Sequence, residues 1–221
     1  MYNFFSLIIF NLFIGNAAGF KVLRQKLGGV QATKLVLRML IQGIKHNPFA
    51  DLNREGLERK QSLSWKEKNS QRQMAPALIM FDTLLASGYS QKQALDLVEA
   101  VIMEVASRYL VFSVPIIRQS DLNQLNLHEK EKAFSRIVAR FDNVQGNLQS
   151  KGDKQFDLTV IKCHFSHYCR VLGYDMLAPL FCKADQAYFN SRQPCVDLVR
   201  TQTLAKNDEP CDFSFRIIAK E

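Results

Sequence analysis

The spacing of apolar residues changes near residue 155, and that change limits the possible folds more than any other feature of the sequence. Upstream, apolar side chains recur every three to five positions, as in Val22, Leu23, Leu27, Val30, Leu35, Val36, Met39, Leu40 and Ile44, the period of a helix that buries one face. Downstream, Phe156 to Cys163, Asp197 to Leu204 and Cys211 to Ile218 alternate as half-covered strands do. The sequence therefore predicts an α+β fold, with a helical N-terminal region over residues 1–150 packed on a small antiparallel sheet with crossing helices in a cysteine-rich module over residues 151–221. A chain of 221 residues suffices for one compact domain with a sizeable core.

Within the helical region, Gly28-Gly29 interrupts the pattern from Val22 to Ile44. Residues 53–73 are dominated by charged and amide side chains, which predicts a solvated helix or a linker. Helices are expected over 75–85, over 90–112 with Ser90 as N-cap, and over 127–141, followed by a polar connection through 143–154. Two short helical segments, 164–172 and 176–189, separate the first two strands, and 205–210 suits a hairpin turn. The apolar opening, Met1 to Phe20, is too short to span a bilayer and has no Lys or Arg before its apolar run, unlike a secretory leader. It predicts a helix that docks on the body or touches a membrane surface.

A composition of 47% hydrophobic and 23% charged residues excludes a disordered chain. The formal charge of +8 favours anionic partners, either a small-molecule substrate or an acidic lipid surface. Basic residues are dispersed from Lys21 to Lys220 without an aromatic-basic motif, so no nucleic-acid partner is expected. Five cysteines cannot all pair internally, which points to a reducing, cytoplasmic setting, with peripheral membrane association through residues 1–20. All five follow residue 162.

Three of them can share a site. Cys182 and Asp185 lie three apart on a predicted helix and project from one face. Cys163 ends one predicted strand and Cys211 begins another, so both thiols can sit at one end of a sheet, with Asp212 on the opposite face from Cys211. Three sulfurs and a carboxylate suit zinc, and His164 or His167 would enlarge the ligand set. The same groups equally suit a thiolate nucleophile with a base. Cys169 and Cys195 read as small core residues. Thr201 and Thr203 share one side of their predicted strand, either to hydrogen-bond a substrate or as ordinary strand formers, while Arg200 faces the other side.

Cys163, then Phe181-Cys182-Lys183-Ala184-Asp185, then Arg200-Thr201-Gln202-Thr203-Leu204-Ala205, then Cys211-Asp212-Phe213 occur in an order that resembles the C-terminal pattern of the L-2-amino-thiazoline-4-carboxylic acid hydrolase family. The resemblance spans Lys162 to Arg216, and departs from the family where Lys206 to Pro210 replaces a glycine-containing turn. It implies a hydrolase that opens a cyclic isothiourea bearing a carboxylate, giving N-carbamoyl-cysteine. On that footing Cys182 is the nucleophile or a metal ligand, Asp185 the base or amidinium partner, and Arg200 the carboxylate clamp. Cys163, Cys211 and His167 join the catalytic set, and Thr201 and Thr203 bind substrate. The cysteine spacing also resembles 4-vinyl-reductase-like small-molecule-binding domains, which implies a non-enzymatic module whose cysteines hold zinc. An enzyme should pair Asp185 with an unligated thiol or an open metal position, whereas a structural zinc site should be closed by four ligands.

Overall fold

The computed structural model describes residues 14–58, 62–206, 208 and 210–218. Helices α1 (Gly15–Leu27) and α2 (Gly29–Lys45) are divided at Gly28, whose φ of 80° is left-handed backbone that favours glycine. Its N–H still closes the last turn of α1 on the Arg24 carbonyl at 3.0 Å. Of the apolar opening, residues 1–13 lie outside the described residues. The remainder begins α1, where Gly19 lets the helix approach Val101 and Val105 closely. Among the described residues no helix is long and apolar enough to cross a membrane.

Three helices begin with reciprocal caps. Ser64 starts α4 (Trp65–Ala86) with Glu67, Ser90 starts α5 (Gln91–Ser113) with Gln93, and Asn126 starts α7 (Leu127–Val138) with Glu129, each side chain accepting from the other's backbone N–H. Between them lie α3 (Ala50–Glu58), which precedes α4, and α6 (Gln119–Asn123), which precedes α7. The segment expected as a solvated helix or linker forms the end of α3 and the start of α4, and part of it is buried. Asn69, Ser70 and Gln71 are all covered because each finds a partner: Asp142 Oδ2 at 3.4 Å, His164 Nδ1 at 3.0 Å and Asn53 Oδ1 at 2.8 Å.

The sheet has four antiparallel strands in the order β1-β2-β4-β3: β1 (Val144–Ser150), β2 (Gln155–Cys163), β3 (Val196–Val199) and β4 (Cys211–Ile217). The polar connection expected over 143–154 is in fact largely β1, an edge strand that pairs with β2 through its backbone. A bulge between Gln145 and Gly146 brings Gly146 so close to β2 that a Cβ there would stand 2.3 Å from the Thr159 carbonyl oxygen. The strand expected over 197–204 stops at Val199. Beyond it the Asp212 side chain replaces the regular ladder: its Oδ1 accepts from the N–H groups of Thr201 (2.9 Å) and Gln202 (2.8 Å).

The covered face of the sheet presents Phe156, Leu158 and Val160 of β2, Cys211, Phe213 and Phe215 of β4, and Val196 and Leu198 of β3. Phe134 of α7 stacks on Phe156 at 4.2 Å. After β2 the chain forms α8 (His164–Val171), a 3-10 turn at Asp175–Leu177 and α9 (Ala178–Arg192). Helix α9 serves two cores. Tyr188 and Phe189 pack on the sheet, while Leu180 and Ala184 join Leu78, Leu97 and Val98 in the core of the helical region.

Candidate active site

Four elements meet at the end of the sheet where β2 finishes and β4 begins, because the register sets Val160 opposite Cys211 and leaves Cys163 just beyond. Cys163, Cys182, Asp185, Arg200 and Cys211 all line one small cavity there, of about 20 Å3, with Asn143, Ser166, Phe181, Leu204 and Phe213 among its other walls. Helix α9 contributes Cys182 and Asp185 from one face, as the spacing predicts, and Cys211, not Asp212, turns inward. A volume of this size holds about one water.

Arg200 is the most unusual group. Its side chain is 3% exposed, so it is no surface charge. Its guanidinium lies over the Phe213 ring, 3.9 Å from the centroid, and Nη2 stands 3.7 Å from Asp185 Oδ2, an ion pair too long for a hydrogen bond. Nε, Nη1 and Nη2 are buried with no hydrogen-bond acceptor among the described residues. A buried guanidinium with its donors unused is costly, and an anion with two oxygens would satisfy it in the geometry for which the group is built.

Burial raises the Asp185 carboxyl to about 6 even though Arg200 beside it favours the anion. Burial likewise pushes the Cys182 thiol up to about 12 and the Cys211 thiol up to about 11, again against the pull of Arg200. It also raises Cys163, despite the N–H groups of Ser166 and Phe165 at the start of α8 and the nearby amide of Asn143, whose Nδ2 is 3.9 Å from the sulfur. At neutral pH the cavity thus combines neutral thiols, a cation and a carboxylate that titrates close to neutrality. No disulfide joins any of the five cysteines.

Other expected site residues lie elsewhere. His167 is exposed on α8 and outside the cavity, beside Tyr168. His164 faces away from it, buried against Ser70. Thr201 is exposed and donates its hydroxyl to Asp212 Oδ2 at 2.6 Å, and Thr203, with a buried Oγ1, does not line the cavity either. Both are expected on a strand, but β3 ends at Val199, and beyond it side-chain carboxylates, Asp212 and Asp208, take the N–H groups of Thr201 and Thr203. Cys169 and Cys195 are buried in the two cores, as their small size suggests. Among the described residues no three His, Cys, Asp or Glu side chains come together at a spacing that could hold a metal ion, so the Cys163, Cys182, Cys211 and Asp185 set does not fit a zinc centre.

Asn143 and Ser166 were not singled out by the sequence as parts of this site. Ser166 Oγ donates to the Leu204 carbonyl at 2.8 Å and so fixes the 3-10 turn Leu204–Lys206 as one wall. Neither Asn143 nor Ser166 falls in a motif, whereas Asp212 stands in Cys211-Asp212-Phe213 and its carboxylate holds the Thr201 and Gln202 N–H groups.

No curated protein matches the sequence. The family model for L-2-amino-thiazoline-4-carboxylic acid hydrolase matches residues 72–215, more than half of the 221 residues and every residue that lines the cavity. The chain belongs to the L-2-amino-thiazoline-4-carboxylic acid hydrolase family.

Proposed function

We propose that the protein hydrolyses a small cyclic isothiourea or amidine that carries a carboxylate, opening its C–S or C–N bond in the cavity at the end of the sheet. The observation that supports this most is the buried Arg200 guanidinium, whose donors have no acceptor among the described residues and which shares the cavity with thiols and a carboxylate. The substrate carboxylate pairs with Arg200, and the amidine-like carbon faces Cys182 and Asp185.

In this reaction the Cys182 sulfur attacks the carbon between ring nitrogen and sulfur, and its proton passes to Asp185 in the same step. The ring C–S bond breaks and the substrate sulfur leaves as a thiol, taking that proton. Water, with Asp185 as base, then releases the product as a carbamoyl compound and returns Cys182 to the thiol. Because the Cys182 thiol is held near 12 and Asp185 near 6, a free-standing thiolate is disfavoured by several kcal/mol, roughly, so transfer and attack belong together.

The same inequality favours one second reading, in which water attacks directly with Asp185 as base and Cys182 only shapes the cavity. Incubation with L-2-amino-thiazoline-4-carboxylate, followed by mass spectrometry for N-carbamoyl-cysteine, tests both. Turnover in the wild type that is lost in Cys182→Ala supports the covalent route. Turnover that persists in Cys182→Ala but is lost in Asp185→Asn moves the nucleophile to water. No turnover in the wild type sinks the proposed substrate class.

A further inference from the structure

We propose that the exposed face of α2, together with the adjoining flank of α1, docks on the surface of an anionic lipid bilayer. Val30, Leu37, Leu40, Ile41 and Ile44 of α2 are each between 54% and 86% exposed. At about 100° per residue these five fall within an arc of roughly 100°, directly beside a second arc that carries Lys34, Arg38 and Lys45. The opposite side of the helix, through Ala32 and Leu35, is already buried against the body. The apolar stripe is thus a second face that no element among the described residues covers.

The patch continues onto α1. Phe20 and Arg24 line one shallow groove with Val30, Thr33 and Lys34, which extends both the apolar and the basic surface across the two helices. Lys21, Arg24, Lys26, Lys34, Arg38 and Lys45 all precede the first acidic residue of the sequence, Asp51. Six cations and no anion therefore occupy this part of a chain whose net charge is +8.

An apolar stripe flanked by cations is the pattern of a helix that lies in the headgroup layer, with aliphatic side chains at the acyl boundary and Lys and Arg at lipid phosphates. A second copy of the chain is a poorer occupant, because a two-fold contact through this face would bring the two sets of like charges together with no carboxylate between them. Residues 1–13, which hold no charged side chain, would leave the basic arc unmatched.

Sedimentation of the full chain with phosphatidylcholine vesicles, with and without phosphatidylserine, tests the proposal. Wild type should bind the phosphatidylserine vesicles at least about tenfold more tightly than neutral ones, and less tightly in high salt. Leu37→Glu with Ile41→Glu should weaken that binding by a similar factor or more, and Lys34→Glu with Lys45→Glu should abolish the preference for phosphatidylserine. All four positions are exposed, and circular dichroism establishes that the variants fold. Equal binding by wild type and the Leu37→Glu, Ile41→Glu variant overturns the proposal. A dimer in gel filtration that this variant converts to monomer, without vesicle binding by either, overturns it in favour of a second copy. Loss of binding on deletion of residues 1–13, with the variant still bound, transfers the role to that segment.

Discussion

Asp185 and Arg200 form a pair whose members are unequally satisfied, and this governs the pH response of the site. Burial raises the Asp185 carboxyl from 3.8 to about 6, so the native state holds that proton more tightly than the unfolded chain does. Its contribution to stability is therefore full below the ordinary carboxylate value and is lost as pH rises through about 6. Relative to Asp185→Asn, wild type should gain Tm as the solution is taken from neutral pH to below about 6, measured by calorimetry across that window. Activity runs the other way. If ionised Asp185 is the base, kcat/KM should fall about tenfold per pH unit below the inflection near 6, and Asp185→Asn should lose that inflection. Arg200→Lys replaces a planar fork by a point charge and should raise KM by roughly tenfold or more with a smaller change in kcat. Equal values in the two proteins would remove Arg200 from carboxylate binding.

At the scale of elements, a single carboxylate shapes the chain between β3 and β4. Burial would raise the Asp212 carboxyl, but its hydrogen bonds with Thr201 and Gln202 outweigh this and hold it below the usual range. Asp212→Ala leaves these donors without their acceptor and should cost about 1–3 kcal/mol in urea unfolding, with a weakened hold on Arg200 seen as a higher KM. An unchanged KM would mean that the loop does not position Arg200. The residues of the cavity were legible wherever local period decides direction: Cys182 with Asp185 on a helix, Cys211 with Phe213 on a strand. They were illegible where another side chain decides. Thr201 and Thr203 have the β-branched composition of a strand, yet Asp212 takes the N–H groups of Thr201 and Gln202 and Asp208 takes that of Thr203. β1 reads as a polar connection because an edge strand is held by its backbone and needs few apolar side chains. Asn69, Ser70 and Gln71 read as solvent-facing because the groups that satisfy them, such as His164, lie far along the chain. Gly146 also carries information beyond flexibility, since Gly146→Ala places a methyl against the Thr159 carbonyl and should lower Tm; an unchanged Tm would show that the bulge yields freely.

For the molecule as a whole, α9 is the shared element, with Leu180 and Ala184 in the helical core and Tyr188 and Phe189 in the core over the sheet. The expected result is one cooperative unfolding unit. Trp65 fluorescence, reporting on α4, and far-UV dichroism should then give coincident transitions, and Phe189→Ala should move both together by about 3–5 kcal/mol. Two separate transitions would mean that residues 1–150 and 151–221 fold independently. The two cores also determine how anything enters a cavity of about 20 Å3. Moving α9 would disturb both cores at once, and β2 and β4 are tied to each other along their length. The remaining wall, from Arg200 to Lys206, is stitched down by side chains, through Asp212, Asp208 and Ser166. That wall carries Arg200. A ligand that entered by displacing that wall would also move the cation that is to grip it, so that recognition and entry would be one event.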